Sequence, residues 1–141
     1  MADQSFLEQR LDAGTWPIAV GDIVVLLAFL LVGTAQHRPG LSPIDVLTTE
    51  PLAFVNAAAP FIVGWLIAAP LIGAYSPGAG SAPNSSIPLA IRSWIPAAVI
   101  GFAIRATPFV EGNVQLTFVA VITVGGAVVL AAWRFIYFKV R

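Results

Sequence analysis

Asp22, Arg92 and Arg105 are the residues best placed to do chemistry in this chain, because each sits inside a long apolar run. Asp22 falls early in GDIVVLLAFLLVG, and the two arginines lie towards the ends of IPLAIRSWIPAAVIGFAIRAT. A charge in such a run is costly, so it turns towards a protein interior and finds a partner. Gln36, Asn56 and Gln115 add polar side chains, and with the three charges they form a predicted intramembrane polar seam. His37, Arg38 and Glu111 are expected to gather as a cluster at its outer end. Such a set can relay ions or protons, bind an anionic solute or headgroup, or hold helices in register.

Catalysis and metal binding have less to work with. Gly-x-Ser-x-Gly, His-Glu-x-x-His and paired carboxylates are all missing from the sequence. One histidine and no cysteine make a poor ligand set for a metal. The glycines of SPGAGSAPNSS lack the spacing of a phosphate loop. The expectation is a protein that is not an enzyme and carries no cofactor or metal. Seven basic and seven acidic residues leave no basic patch for nucleic acid.

The elements that must position these residues are membrane spans. Of 141 residues, 58% are hydrophobic and 10% charged, against roughly 25% charged in soluble domains, and mean hydropathy is +0.89. A soluble chain of this size cannot hide so much apolar surface. Apolar runs predict an all-α, polytopic membrane protein with four transmembrane helices, at about 17–36, 51–75, 88–107 and 114–138. Residues 1–16 form an N-terminal tail or a short interfacial helix, with Phe6, Leu7 and Leu11 on one face, and 17–141 form the transmembrane domain. Asp3, Glu8 and Asp12 against Arg10 are the wrong balance for a signal peptide, so the first apolar run is read as a retained helix.

At 100° per residue, Asp22, Leu26, Phe29, Gly33 and Gln36 share a stripe of the first span. Asn56, Pro60 and Gly64 do so on the second, Ala97, Gly101 and Arg105 on the third, and Gln115, Gly126, Val129 and Trp133 on the fourth. Pro60 and Pro70 predict kinks. HRPGLSPIDVLTTE reads as a loop whose Thr48 or Thr49 caps the second span.

Four spans put both termini on one side, which collects Arg10, Arg92, Arg134, Lys139 and Arg141 against Arg38 and Arg105. The positive-inside rule then places both termini in the cytoplasm of a cell-membrane protein. Asp22 and Arg92 lie at similar depth in this arrangement and are predicted to pair. Trp133, Phe135 and Tyr137 read as an interfacial aromatic cluster, with the basic residues Arg134, Lys139 and Arg141 at the end of the chain.

GDIVVLLAFLLVG, QHRPG, PFIVGW, Arg92 with Trp94, GFAIR, QLTFVAV and AAWR together resemble the DUF3054 family of small four-helix membrane proteins of archaea and bacteria, over about residues 17–138. Family members often carry a basic residue shortly before the first-loop histidine, where this chain has Ala35 and Gln36. The resemblance implies fold and topology; the family's function is unknown. The polar seam and the prolines point to a small oligomeric permease or channel. The alternative is a non-catalytic accessory or scaffold subunit of a larger membrane complex, or a lipid or quinone binder. The expected partners are membrane lipid and either copies of this chain or other membrane subunits.

Overall fold

The computed structural model describes residues 10–108 and 115–141. In order, a 3₁₀ turn at Ala13–Thr15 leads into helix α1 (Trp16–Gln36), α2 (Pro43–Thr49) and α3 (Pro51–Ile72). A second 3₁₀ turn at Pro77–Gly80 precedes α4 (Pro83–Arg105) and α5 (Leu116–Val140). Among the described residues the one extended pairing is an isolated bridge between Leu11 and Tyr75. Four helices are long and apolar enough to cross a membrane, with mean hydropathies of 1.7 to 2.5 over their best windows. Even the 21 residues of α1 rise about 32 Å, which matches a hydrocarbon core of about 30 Å. The protein is an all-α, multi-pass membrane protein.

Prolines and a glycine set the helix ends. Pro17, Pro51 and Pro83 sit in first turns, where the missing N–H has no partner to lose. Gly73 ends α3 at φ +105°, a conformation that favours glycine, so α3 stops at Ile72 and not near 75. α4 begins at Pro83, ahead of the expected 88. The predicted first loop holds a helix of its own. Ser42 and Asp45 form a capping box, the Ser42 hydroxyl accepting from the Asp45 N–H at 3.2 Å and the Asp45 carboxylate from the Ser42 N–H at 2.9 Å. Thr48 and Thr49 are therefore inside α2 and do not cap α3; their hydroxyls donate back to carbonyls of the same helix.

α1 packs on α3 and α5, and α4 packs on the same two helices, so the spans form a square with α1 and α4 on one diagonal. The seams follow steps of four. Ile18, Asp22, Leu26, Leu30 and Thr34 are the buried residues of α1, and Ile122, Gly126, Leu130 and Arg134 those of α5. The ridge that packs into a neighbour is the i±4 row, which drifts from the 100° stripe. The predicted α1 stripe keeps Asp22 and Leu26 buried and Phe29 against Gly125 of α5, while Gln36 is exposed. On α5 the buried position is Arg134, next to Trp133, whose ring lies against Gly21 of α1.

The centre is aromatic and tight. Trp65, Trp94 and Phe61 are fully buried. Phe61 lies where a side chain at Gly101 would collide with it, and a side chain at Gly64 would strike the Ala97 carbonyl, so these glycines let α3 and α4 approach closely. The Trp94 ring lies against Gly126, and its indole N–H donates to the Thr123 carbonyl at 3.0 Å. The predicted N-terminal helix falls largely on residues 1–9, outside the described residues.

Candidate functional site

The two ends of the bundle are built differently. At the end that carries Arg10 and the C-terminus, Asp22 and Arg134 form a fully buried ion pair between α1 and α5. Arg134 Nη2 donates to Asp22 Oδ2 at 2.6 Å and Nε to Oδ1 at 3.2 Å, a two-point contact that suits the planar guanidinium. Arg134 Nη1 donates to the Ser86 carbonyl at 3.0 Å and to the Ser86 hydroxyl oxygen at 3.2 Å, which ties in α4. The Tyr75 hydroxyl donates to Asp22 Oδ2 at 2.8 Å and accepts the Trp65 indole N–H at 2.8 Å, which ties in α3. Burial, and then the adjacent carboxylate, push the Tyr75 phenol far up, so it stays protonated as the donor.

All four spans thus contribute to one network around the Asp22 carboxylate, α5 directly and α3 and α4 through Tyr75 and Arg134. Among the described residues no buried side-chain nitrogen or oxygen lacks a hydrogen-bond partner. The chain around the network closes that end further. Arg10 donates to the Ile72 carbonyl at 3.0 Å, and the Asp12 N–H to the Tyr75 carbonyl at 2.7 Å.

The expected Asp22–Arg92 pair is corrected here: the partner of Asp22 is Arg134, and Arg92 is exposed. The cause is the earlier start of α4. Arg92 lies nine residues into that helix, whereas Asp22 lies six from the start of α1 and Arg134 six from the end of α5. In antiparallel neighbours the latter two meet at equal depth. Sequence reading placed Arg134 with Lys139 and Arg141, as a basic residue at the end of the last span. The signal that would have found it is its place four residues after Leu130 and eight after Gly126, on the small-residue seam of α5.

The opposite end holds a pocket of about 360 Å³, set among the end of α1, the start of α3, the end of α4 and the start of α5. Its polar lining is Thr34, His37, Arg38, Asn56 and Arg105. Phe29, Leu30, Phe118 and Ile122 supply an apolar wall. The Arg105 guanidinium stands over the Phe118 ring, 4.6 Å from its centroid, an attractive placement for a cation. Arg38 pairs with Glu50 at 3.0 Å, across the base of the α2 loop. The size suits a small organic ligand.

Of the predicted seam, the structure brings Asn56 and Arg105 together at this pocket, with His37 and Arg38 of the predicted cluster. Asp22 belongs to the other end. Gln36 and Gln115 are exposed at helix ends, and Arg92 is exposed on α4. Glu111 lies outside the described residues. Between the two ends stands the apolar centre of Leu26, Phe61, Trp65, Trp94 and Leu130, so the polar residues form two separate groups and not one seam. Among the described residues no three of His, Cys, Asp or Glu are grouped to hold a metal ion.

A family model described as "Protein of unknown function (DUF3054)" matches residues 19–137, and the chain belongs to that family. No curated protein and no solved structure gives a significant match to the chain.

Proposed function

We propose that this member of the DUF3054 family is a small permease whose solute enters the pocket lined by Arg105, Asn56 and His37. The observation that carries the reading is the difference between the two ends. One end offers a ligand-sized pocket with polar and apolar walls, and the other is sealed by the Asp22–Arg134 network. A carrier held open to one side has this asymmetry. Pro60 and Pro70 in α3, and Pro88 and Pro96 in α4, weaken the backbone ladder of two helices that would have to move. The role is binding and passage, without bond-making chemistry. The apolar wall also favours a second reading, a holder of lipid or quinone in the same pocket.

The reading includes a site in the cell membrane with both termini in the cytoplasm. Once Arg134 is counted as an internal pair, Arg10, Arg92, Lys139 and Arg141 still outnumber Arg38 and Arg105. The pocket then faces outward. It also includes association with lipid and with further copies of the chain or other membrane subunits, because a single bundle with so packed a centre has little room for a path of its own. The sequence has no cysteine, so Ser42→Cys and Ser81→Cys report sidedness cleanly by impermeant thiol labelling.

The deciding experiment is flux in proteoliposomes over a broad panel of small solutes. The reading expects uptake above empty liposomes that Gly33→Leu, a pocket-filling change, abolishes. Uptake equal to empty liposomes across the panel removes the permease and leaves the holder.

A further inference from the structure

We infer that Arg92 marks a binding site for an anionic phospholipid on the outer face of α4, in the leaflet at the end of the bundle that carries the C-terminus. The inference gives the lipid association of the preceding reading a place. It stands apart from the pocket and from any flux through it.

Charge comes first. Ala90, Trp94, Ala97, Ala98 and Gly101 are buried in α4. At 100° per residue Arg92 falls opposite them, on an exposed stripe with Ile95 and Val99. Arg92 therefore faces lipid, and no hydrogen bond or ion pair joins it to another described residue. A cation in that position is costly until it meets an anion. A second copy of the chain offers none at this depth. Among the described acids, Asp22 is buried in its pair with Arg134, and Asp12, Asp45 and Glu50 lie outside the four spans. The phosphate of a lipid supplies the missing charge.

Depth comes second. Arg92 stands 13 residues before Arg105, the last residue of α4, a rise of about 20 Å. In a hydrocarbon core of about 30 Å this leaves about 10 Å to the far boundary, much of which an arginine stem covers by snorkelling.

The outer stripe also changes character on either side of Arg92. Towards the bilayer centre it presents Ile95 and Val99, which are bulky and apolar. Towards the near end it presents Pro88 and Ser85, small side chains that leave the guanidinium a way to the headgroups. Asn84, exposed in the first turn of α4, adds an amide donor there. Arg141 donates to the Gly80 carbonyl at 3.0 Å, which brings a second cation beside the start of α4. An apolar surface for an acyl chain, followed by cations and an amide at headgroup depth, matches one phospholipid molecule. The choline of phosphatidylcholine balances its phosphate, whereas phosphatidylglycerol keeps a net negative charge, so the site prefers the latter.

The test uses the full chain in nanodiscs holding phosphatidylglycerol and phosphatidylcholine in equal amounts. Lipids that stay on the released protein are identified by native mass spectrometry. The wild type should retain phosphatidylglycerol about fivefold over phosphatidylcholine, the factor expected of one basic residue near a lipid surface. Arg92→Gln should level the two lipids, and Arg92→Lys should keep a preference; the side chain is exposed, so both variants fold. Gly33→Leu, which fills the pocket, should leave the preference intact. Equal retention by the wild type, or a preference that Arg92→Gln leaves unchanged, overturns the inference. A preference lost in Gly33→Leu moves the lipid to the pocket and overturns it too. Co-extraction of another membrane subunit that Arg92→Gln releases, without a lipid preference, assigns Arg92 to a subunit carboxylate and likewise overturns the lipid site. Flux in proteoliposomes is read separately, so the permease and the lipid site can each fail alone.

Discussion

Asp22 and Arg134, 112 residues apart in sequence, meet in a two-point ion pair with neither side chain reachable by solvent. The pair closes the ring of helices by joining the first span to the last. Its remaining hydrogen-bonding capacity is used by Ser86 and Tyr75, so the low-dielectric surroundings strengthen each bond and leave no group stranded.

Breaking the pair from one side should be far worse than removing it whole. Arg134→Met leaves a buried carboxylate and is expected to cost about 3–5 kcal/mol, as is Asp22→Leu, which leaves the guanidinium. The double variant Asp22→Leu with Arg134→Met should regain most of that loss. Arg92→Leu, on the exposed side of α4, should change stability by no more than about 0.5 kcal/mol. Thermal unfolding in one detergent, compared across the four variants, is the check. Equal losses for Arg92→Leu and Arg134→Met would show that the pairing is misassigned.

Tyr75 links the pair to the aromatic centre, since its oxygen both donates to Asp22 and accepts from Trp65. Tyr75→Phe leaves the Trp65 N–H without an acceptor in a buried setting and is expected to cost about 1–3 kcal/mol. Trp65→Phe removes that donor as well, so the Trp65→Phe, Tyr75→Phe double variant should cost less than the sum of the singles. A double-mutant cycle by chemical unfolding measures the coupling. Additive losses would mean that the bridge carries no energy.

Which of these features could be read in advance follows from what each depends on. The four spans were legible because length and hydropathy alone define them. Asp22 stood out because an isolated acid in an apolar run has few explanations. Its partner did not, because pairing depends on helix starts and on the direction of the seam. A five-residue difference at the start of α4 carried Arg92 away from the depth of Asp22. The drift from a 100° stripe to an i±4 ridge brought Arg134 inward. α2 had a visible signature in Ser42 and Asp45, and the surrounding prolines and glycine hid it. The pocket was half legible: Asn56, Arg105, His37 and Arg38 are polar and were noticed, but Gly33 announces open space only when its neighbours are known.

Close packing at Gly126 gives a prediction with a built-in rescue. A side chain there would occupy the space of the Trp94 indole, whose N–H reaches the Ile122 and Thr123 carbonyls of the same helix face. Gly126→Leu should therefore destabilise by about 1–3 kcal/mol through overpacking. Replacing the indole should make room, so Gly126→Leu with Trp94→Ala should be more stable than Trp94→Ala alone. Unfolding midpoints order the three variants. A double variant less stable than Trp94→Ala would place the Trp94 ring elsewhere.

The capping box of α2 makes the loop beside the pocket sensitive to acid. The Asp45 carboxylate accepts from the Ser42 backbone N–H, and this bond, followed by the Ser42 side chain, holds its pKa below the ordinary value of 3.8. A group depressed on folding stabilises the folded form above its unfolded pKa. That contribution is lost as pH falls through the lower, folded pKa. Amide protection in α2 should accordingly be constant from neutrality down to about pH 5 and decline below about pH 4, while the four spans keep their protection. Asp45→Asn should flatten this dependence, since the amide does not titrate in the range. Ser42→Ala should lower protection of α2 at every pH, by about 1 kcal/mol, because it removes the acceptor for the Asp45 N–H. Hydrogen exchange read by mass spectrometry on peptides covering 42–50, corrected for intrinsic rates, measures all three. A decline that persists unchanged in Asp45→Asn would assign the acid sensitivity to another group, with Glu50, the partner of Arg38 at 3.0 Å, the next to substitute.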